Sequence, residues 1–168
     1  MEIKNVVKGR IAESLVSELL KKSRNKVYRF GYETVLQNLT QLEASFNKDT
    51  KTAEIIRSIP DLIVVNRNGE VFFVEVKERT KKVGRYFFTK TEWGRLKEVL
   101  NYWNAVLILV TAEPPFFRIF DGSLRNSFVP IEKYGKFNIK ETACEECNKL
   151  AEKYFRDEKI KMNFRGVV

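Results

Sequence analysis

Two short runs of β-forming residues near the centre constrain this chain more than any other feature. Leu62-Ile63-Val64-Val65 and Val71-Phe72-Phe73-Val74-Glu75-Val76 are separated by a stretch that opens Asn66-Arg67-Asn68-Gly69. Branched and aromatic residues in runs this short, bounded by Asn and Gly, read as a β-hairpin. Both runs are apolar at consecutive positions, which predicts strands covered on both faces. A three-residue loop of Arg67, Asn68 and Gly69, with Gly69 left-handed, opposes Asn66 to Glu70. Counting back along both strands then opposes Asp61 to Glu75, with Lys77 two residues on and on the same face. A two-residue Asn68-Gly69 loop would oppose Asp61 to Val76 and part the carboxylates. Register therefore decides whether these polar residues meet.

Around the hairpin the pattern alternates between helix and strand. Residues 9–22 place Ile11, Leu15, Val16, Leu19 and Leu20 on one side of a helix. Val27 to Phe30 is a short strand, and 33–57 is rich in helix formers with Asn47, Lys48 and Asp49 as the interruption. Pro60 ends any helix and holds Ile59 extended. A helix is predicted over 89–103, a buried strand over Ala105 to Thr111, and another over Phe116 to Phe120 after Glu113-Pro114-Pro115. A closing helix is predicted over 138–159. No linker, repeat or low-complexity tract divides the 168 residues. The expectation is one domain over 1–168, an α/β fold with a mixed central sheet flanked by helices.

Composition removes several chemistries. There is no histidine, which excludes Ser-His-Asp and Cys-His catalysis, HExxH zinc sites and a histidine proton shuttle. Cys144 and Cys147 form a lone CxxC, with no second Cys or His pair to complete a zinc site. They lie where Ala143, Cys147, Leu150 and Tyr154 recur at helical spacing, and read as small residues on a packed helix. The N-terminal MEIKNVVKGRIAES lacks the apolar core of a signal peptide, and no apolar run approaches the ~18 residues of a membrane span. The expected location is cytoplasmic, intracellular and nucleoid-associated, with no membrane partner.

Two carboxylates at the end of an apolar sheet are costly unless a cation neutralises them or one takes up a proton. Oxygen ligands favour Mg²⁺ or Mn²⁺, which keep bound water and can meet a phosphate. An ion held there polarises a phosphoryl oxygen and acidifies its water, while Lys77 stabilises charge on the phosphate. Phosphodiester hydrolysis on this plan needs no histidine.

These residues also resemble a known family. Pro60-Asp61 followed by Glu75-Val76-Lys77 resembles the PD-(D/E)xK nuclease motif, and Gly9-Arg10-Ile11-Ala12-Glu13 resembles the GxxxE helix segment upstream of it. Within that superfamily the pattern is most similar to archaeal-type Holliday junction resolvases. The likeness runs from Gly9 to about Phe120 and takes in Glu78-Arg79-Thr80-Lys81-Lys82 and Gly94-Arg95-Leu96. The resemblance implies a restriction-endonuclease-like fold with a catalytic core over about 9–120 and an added C-terminal helical extension over about 138–159. It implies a metal-dependent DNA endonuclease, a homodimer acting on junction or branched DNA. Asp61 and Glu75 become ligands of Mg²⁺ or Mn²⁺, Lys77 the catalytic lysine, and Glu13 an additional acid and metal ligand. Other readings are a restriction- or repair-type nuclease on duplex, flap or single-stranded DNA, and a non-catalytic DNA-binding module of the same fold. Glu33 reads as a helix-start carboxylate.

Charge distribution points to the same partner. Lys and Arg number 31 against 22 Asp and Glu, a formal net charge of +9 that favours a polyanion. Between Lys77 and Lys97 stand eight basic residues and two acidic ones, interleaved with Tyr86, Phe87, Phe88 and Trp93. Arg79, Lys81, Lys82, Arg85 and Lys90 are read as a phosphate-tracking surface, joined by Arg10 from the N-terminal helix. The segment from Asn138 onward is nearly neutral and reads as structural or as a subunit contact.

Overall fold

The hairpin forms with the three-residue loop. In the computed structural model, which describes residues 3–31, 50–79, 87–122 and 127–156, β2 (Leu62–Val65) pairs antiparallel with β3 (Val71–Arg79). Leu62 faces Val74 and Val65 faces Val71. The turn closes through Asn66 N–H to the Glu70 carbonyl (3.0 Å) and Gly69 N–H to the Asn66 carbonyl (3.1 Å), with Gly69 at φ +81°. That φ is open to glycine at little cost, which is why Gly sits third in the loop.

The hairpin belongs to a six-stranded mixed sheet in the order β1-β2-β3-β4-β5-β6. The other strands are β1 (Lys26–Arg29), β4 (Ala105–Thr111), β5 (Phe117–Phe120) and β6 (Val129–Pro130). All neighbours are antiparallel except β3 and β4, which run parallel. A parallel pair needs a crossover, supplied here by α3 (Lys90–Trp103). The remaining helices are α1 (Ile3–Lys22), α2 (Lys51–Arg57) and α4 (Glu141–Ala151), which runs on into a π-helical turn over Glu152–Arg156. The chain is thus α/β, with helices on both sides of the sheet.

Alternation along β3 sorts its side chains between two layers. Val74 and Val76 pack with Leu15, Val16, Leu19 and Leu20 of α1 and with α4, in one core. Phe73 joins Leu96, Leu100 and Phe88 on the α3 side, together with Leu107 and Leu109 of β4. Only β4 is buried along its whole length on both faces. The hairpin strands are covered less than their apolar runs predict: Val71 is exposed, and Ile63, Val65, Phe72 and Phe73 are half-buried. In β2 and β3 the β propensity of the sequence exceeds the burial the fold provides.

Several boundaries move. Helix α1 begins at Ile3 rather than residue 9; Ile3 and Val7 are exposed, so no apolar stripe announces that first stretch. Strand β3 runs on through Lys77, Glu78 and Arg79, carried by its parallel ladder with β4. The closing helix starts at Glu141, and its buried stripe is Ala143, Cys144, Cys147, Ala151 and Phe155. Leu150 and Tyr154, expected on that stripe, are exposed, because the Cys144–Cys147–Ala151 line faces α1 and turns them outward. The two cysteines are free and buried, with Cys147 Sγ against the Leu15 carbonyl. Burial and Glu132 push the Cys144 thiol up to about 12, which makes it inert.

The sheet margins are β1, whose Lys26, Tyr28 and Arg29 are exposed, and β6, two residues long and ending in Pro130. No helix among the described residues is long and apolar enough to cross a membrane.

Candidate functional site

The open end of the hairpin is built around Asp61. Its carbonyl oxygen accepts from the N–H groups of Phe30 (2.9 Å) and Gly31 (3.1 Å), which ties it to the end of β1. Its Oδ2 accepts from the Val76 N–H at 2.7 Å, which ties the carboxylate to β3. The ladder ends at the Leu62–Val74 pair, and Asp61, in the bend just before β2, continues that register toward Glu75. Arg57 ends α2 and Ser58 caps it, its N–H bonding back to the Glu54 and Ile55 carbonyls, so Pro60 and Asp61 lead into β2 with no helix left to break.

Glu75 and Lys77 project from β3 on the α3 side, with Leu107 and Leu109 as their partners on β4. Lys77 Nζ donates to Glu75 Oε1. Glu75 is buried, and that burial pushes its carboxyl up to about 7; Lys77 opposes the rise, while Asp61 and then Glu13 add to it. Lys77 is half-buried: burial lowers its ammonium, but Glu75 and Asp61 together outweigh this and the net direction is up. Lys77 is therefore a fixed cation at neutral pH, suited to stabilising anionic charge rather than to accepting a proton.

Glu13 is half-buried on α1 and reaches Glu75 through charge, the smallest of the named influences on that carboxyl. Among the described residues no three His, Cys, Asp or Glu side chains stand close enough together to hold an ion by themselves. Mg²⁺ nonetheless fits the donor set. It is commonly held by one or two carboxylates, with waters and substrate phosphate completing the shell. Asp61 and Glu75 supply two hard oxygen donors, and the burial that raises the Glu75 carboxyl, with Asp61 adding to it against Lys77, is a cost that a bound cation would offset.

Beside these groups opens a cleft of about 320 Å³. Glu75 and Lys77 line it together with Arg79 from β3, Arg57 from the end of α2, and Arg95 and Leu96 from α3. Of the residues expected to meet phosphate, Arg79 lines this cleft, whereas Arg10 and Lys90 are exposed on α1 and α3 away from its walls. Lys81, Lys82 and Arg85 lie outside the described residues, as does Glu33. Arg57 and Arg95 are the additions made by the structure. Arg57 precedes Asp61 by four residues, which was the available sequence signal; Arg95 sits within Gly94-Arg95-Leu96 but carries no local mark of facing β3.

No protein-family model matches the chain, and no curated protein matches it.

Proposed function

We propose that this chain is a metal-dependent DNA endonuclease of the PD-(D/E)xK type, with a restriction-endonuclease-like fold, working as a homodimer on branched or junction DNA. The observation that supports it most is that Asp61, Glu75 and Lys77 lie at one end of one hairpin, with Glu75 and Lys77 lining a cleft that also carries Arg57, Arg79 and Arg95. Asp61 and Glu75 would hold Mg²⁺ or Mn²⁺, with Glu13 adding negative charge behind them. When bound, the ion polarises the scissile phosphate and lowers the pKa of a bound water. Lys77 stabilises the negative charge that develops on the phosphoryl oxygens and orients the attacking water. Asp61, clamped by Val76 N–H and by the end of β1, keeps this geometry from drifting. The attacking water would lose its proton to solvent as its oxygen bonds to phosphorus, the bond to the sugar oxygen would break, and that oxygen would take a proton from solvent, while the arginines hold the flanking phosphates.

The test is incubation of the protein with linear duplex, flap, single-stranded and four-way DNA, with Mg²⁺, with Mn²⁺ and with EDTA. Cleavage is expected only with the divalent ion. Asp61→Ala and Glu75→Ala should abolish it and leave DNA affinity within about threefold, because neither residue is a phosphate-binding cation. Wild-type cleavage rates in either variant would remove the mechanism. DNA binding with no cleavage under any metal would make the chain a binding module.

A further inference from the structure

The lining of the cleft beside the acid pair is mixed, and its chemistry narrows the substrate. Its cations, Lys77, Arg79, Arg57 and Arg95, outnumber its acids, Glu75 and Glu92. Leu96 and Val99 of α3 and the ring of Phe88 add apolar surface. Arg79 joins the two kinds of lining. Its guanidinium carbon lies 4.5 Å from the centroid of the Phe88 ring. Its Nη1 donates to the Glu78 carbonyl at 2.9 Å, and its Nη2 stands 3.9 Å from Glu92 Oε1. Glu92 is itself fixed, accepting from the Thr89 N–H at 2.8 Å and the Thr89 hydroxyl at 2.9 Å in the capping box of α3. Arg79 is thereby a flat cation backed by an aromatic ring and steadied at its edges. Guanidinium planes held this way stack on nucleobases.

Size supplies the second constraint. At about 320 Å³ the cleft is at the small end of the ~300–1,000 Å³ range of sites that enclose a drug-sized ligand. That is room for one nucleotide. A nucleotide still paired within a duplex must first be pulled from its stack, at an energetic cost that an unpaired one does not incur.

We propose that the cleft receives one unpaired nucleotide of the strand being cut, its base on Arg79 against Leu96 and Val99 and its phosphate on Arg57 and Arg95. This rests on the nuclease reading of Asp61, Glu75 and Lys77 and specifies its substrate: DNA with an unpaired nucleotide next to the scissile phosphate, as at a flap, gap or single-stranded end. Continuous duplex is disfavoured by the cleft itself.

The experiment measures binding in EDTA, where no strand is cut, using 2-aminopurine at the unpaired position of a flap and at the matching position of a blunt duplex. The full chain is expected to bind the flap about tenfold more tightly than the duplex, the scale of one stacked base. Val99→Trp, which fills the cleft, and the Arg57→Ala/Arg95→Ala pair should each reduce flap affinity to the duplex level. Should Val99→Trp fail to fold by circular dichroism, the arginine pair, both exposed, carries the test. Equal affinity for flap and duplex in the wild type overturns the proposal, as does a flap preference that survives the variants. Parallel cleavage with Mg²⁺ keeps the two readings apart. Cutting with no flap preference overturns the cleft proposal and leaves the nuclease reading. Flap-selective binding without cutting overturns the nuclease reading and leaves the nucleotide cleft.

Discussion

The two ends of the β2–β3 hairpin each bring a polar residue opposite an acid, and they resolve the encounter in opposite ways. At the closed end, Asn66 spends its whole amide internally. Its Nδ2 donates to Glu70 Oε2 (2.6 Å) and the Lys136 carbonyl (3.0 Å), and its Oδ1 accepts from the Asn68 and Glu70 N–H groups (2.9 Å each). Nothing there is left in want of a partner. At the open end, Asp61 and Glu75 come together; burial, with the Asp61 charge behind it, pushes Glu75 up to about 7, and Lys77 only partly offsets the rise. A polar pair that satisfies itself holds a structure together, whereas one left under electrostatic strain is suited to hold something else. The same strands thus carry a structural clasp at one end and a candidate reaction centre at the other.

That contrast breaks most readily at the level of turnover. Glu75→Gln should lower metal-dependent cleavage by about a thousandfold, close to 4 kcal/mol of transition-state stabilisation. Glu70→Gln, at the other end, should leave the rate within about twofold. Equal losses in a single-turnover assay would erase the distinction between the two ends. Stability should invert the order. Asn66→Ala strands two backbone donors and an acceptor at a buried position, so urea denaturation should register a loss of about 2–3 kcal/mol. Glu70→Gln should cost under about 0.5 kcal/mol on its exposed side chain. Gly69→Ala forces a Cβ into a left-handed backbone and should cost about 1–2 kcal/mol, with the register retained and cleavage unaffected. The smallest effect sharpens the comparison. Mg²⁺ at about ten times its dissociation constant should stabilise the wild type by about 1.4 kcal/mol, a melting shift of about 3–5 °C for a chain of this length. Glu75→Gln should lose that shift and Glu70→Gln should keep it.

How much of this was legible in the sequence follows from how local each feature is. The hairpin register was readable because Asn66 through Glu70 encode it within five residues, and Asp61 facing Glu75 follows by counting. Strand β4 was readable because an unbroken apolar run has nowhere to sit but the middle of a sheet. Strand β6 and the two 3₁₀ turns after it were not, since a two-residue Val-Pro strand has no period to detect. The later part of the stripe on α4 was read one position off because Leu150 and Tyr154 fit the helical spacing as well as Ala151 and Phe155, and the docking of the helix on α1 chose the latter pair. Of the site, the acid pair and lysine were visible as a spacing. The cleft wall was not: Arg57 and Arg95 come from separate helices and meet only when α2 and α3 both dock beside β3. Spacing reports on one strand pair, and a wall made by three elements leaves no such trace.

The margins of the sheet bear on how copies of this chain meet. A strand of another molecule laid along β1 would have to settle against the charges of Lys26 and Arg29, and one laid along β6 would find a two-residue stretch interrupted by an imino acid. Lateral growth of the sheet is discouraged on both flanks, one by ammonium and guanidinium groups and the other by a missing donor. Any pairing of two copies through the described strands would therefore meet resistance at either edge, which leaves helices and loops as the surfaces open to such a contact.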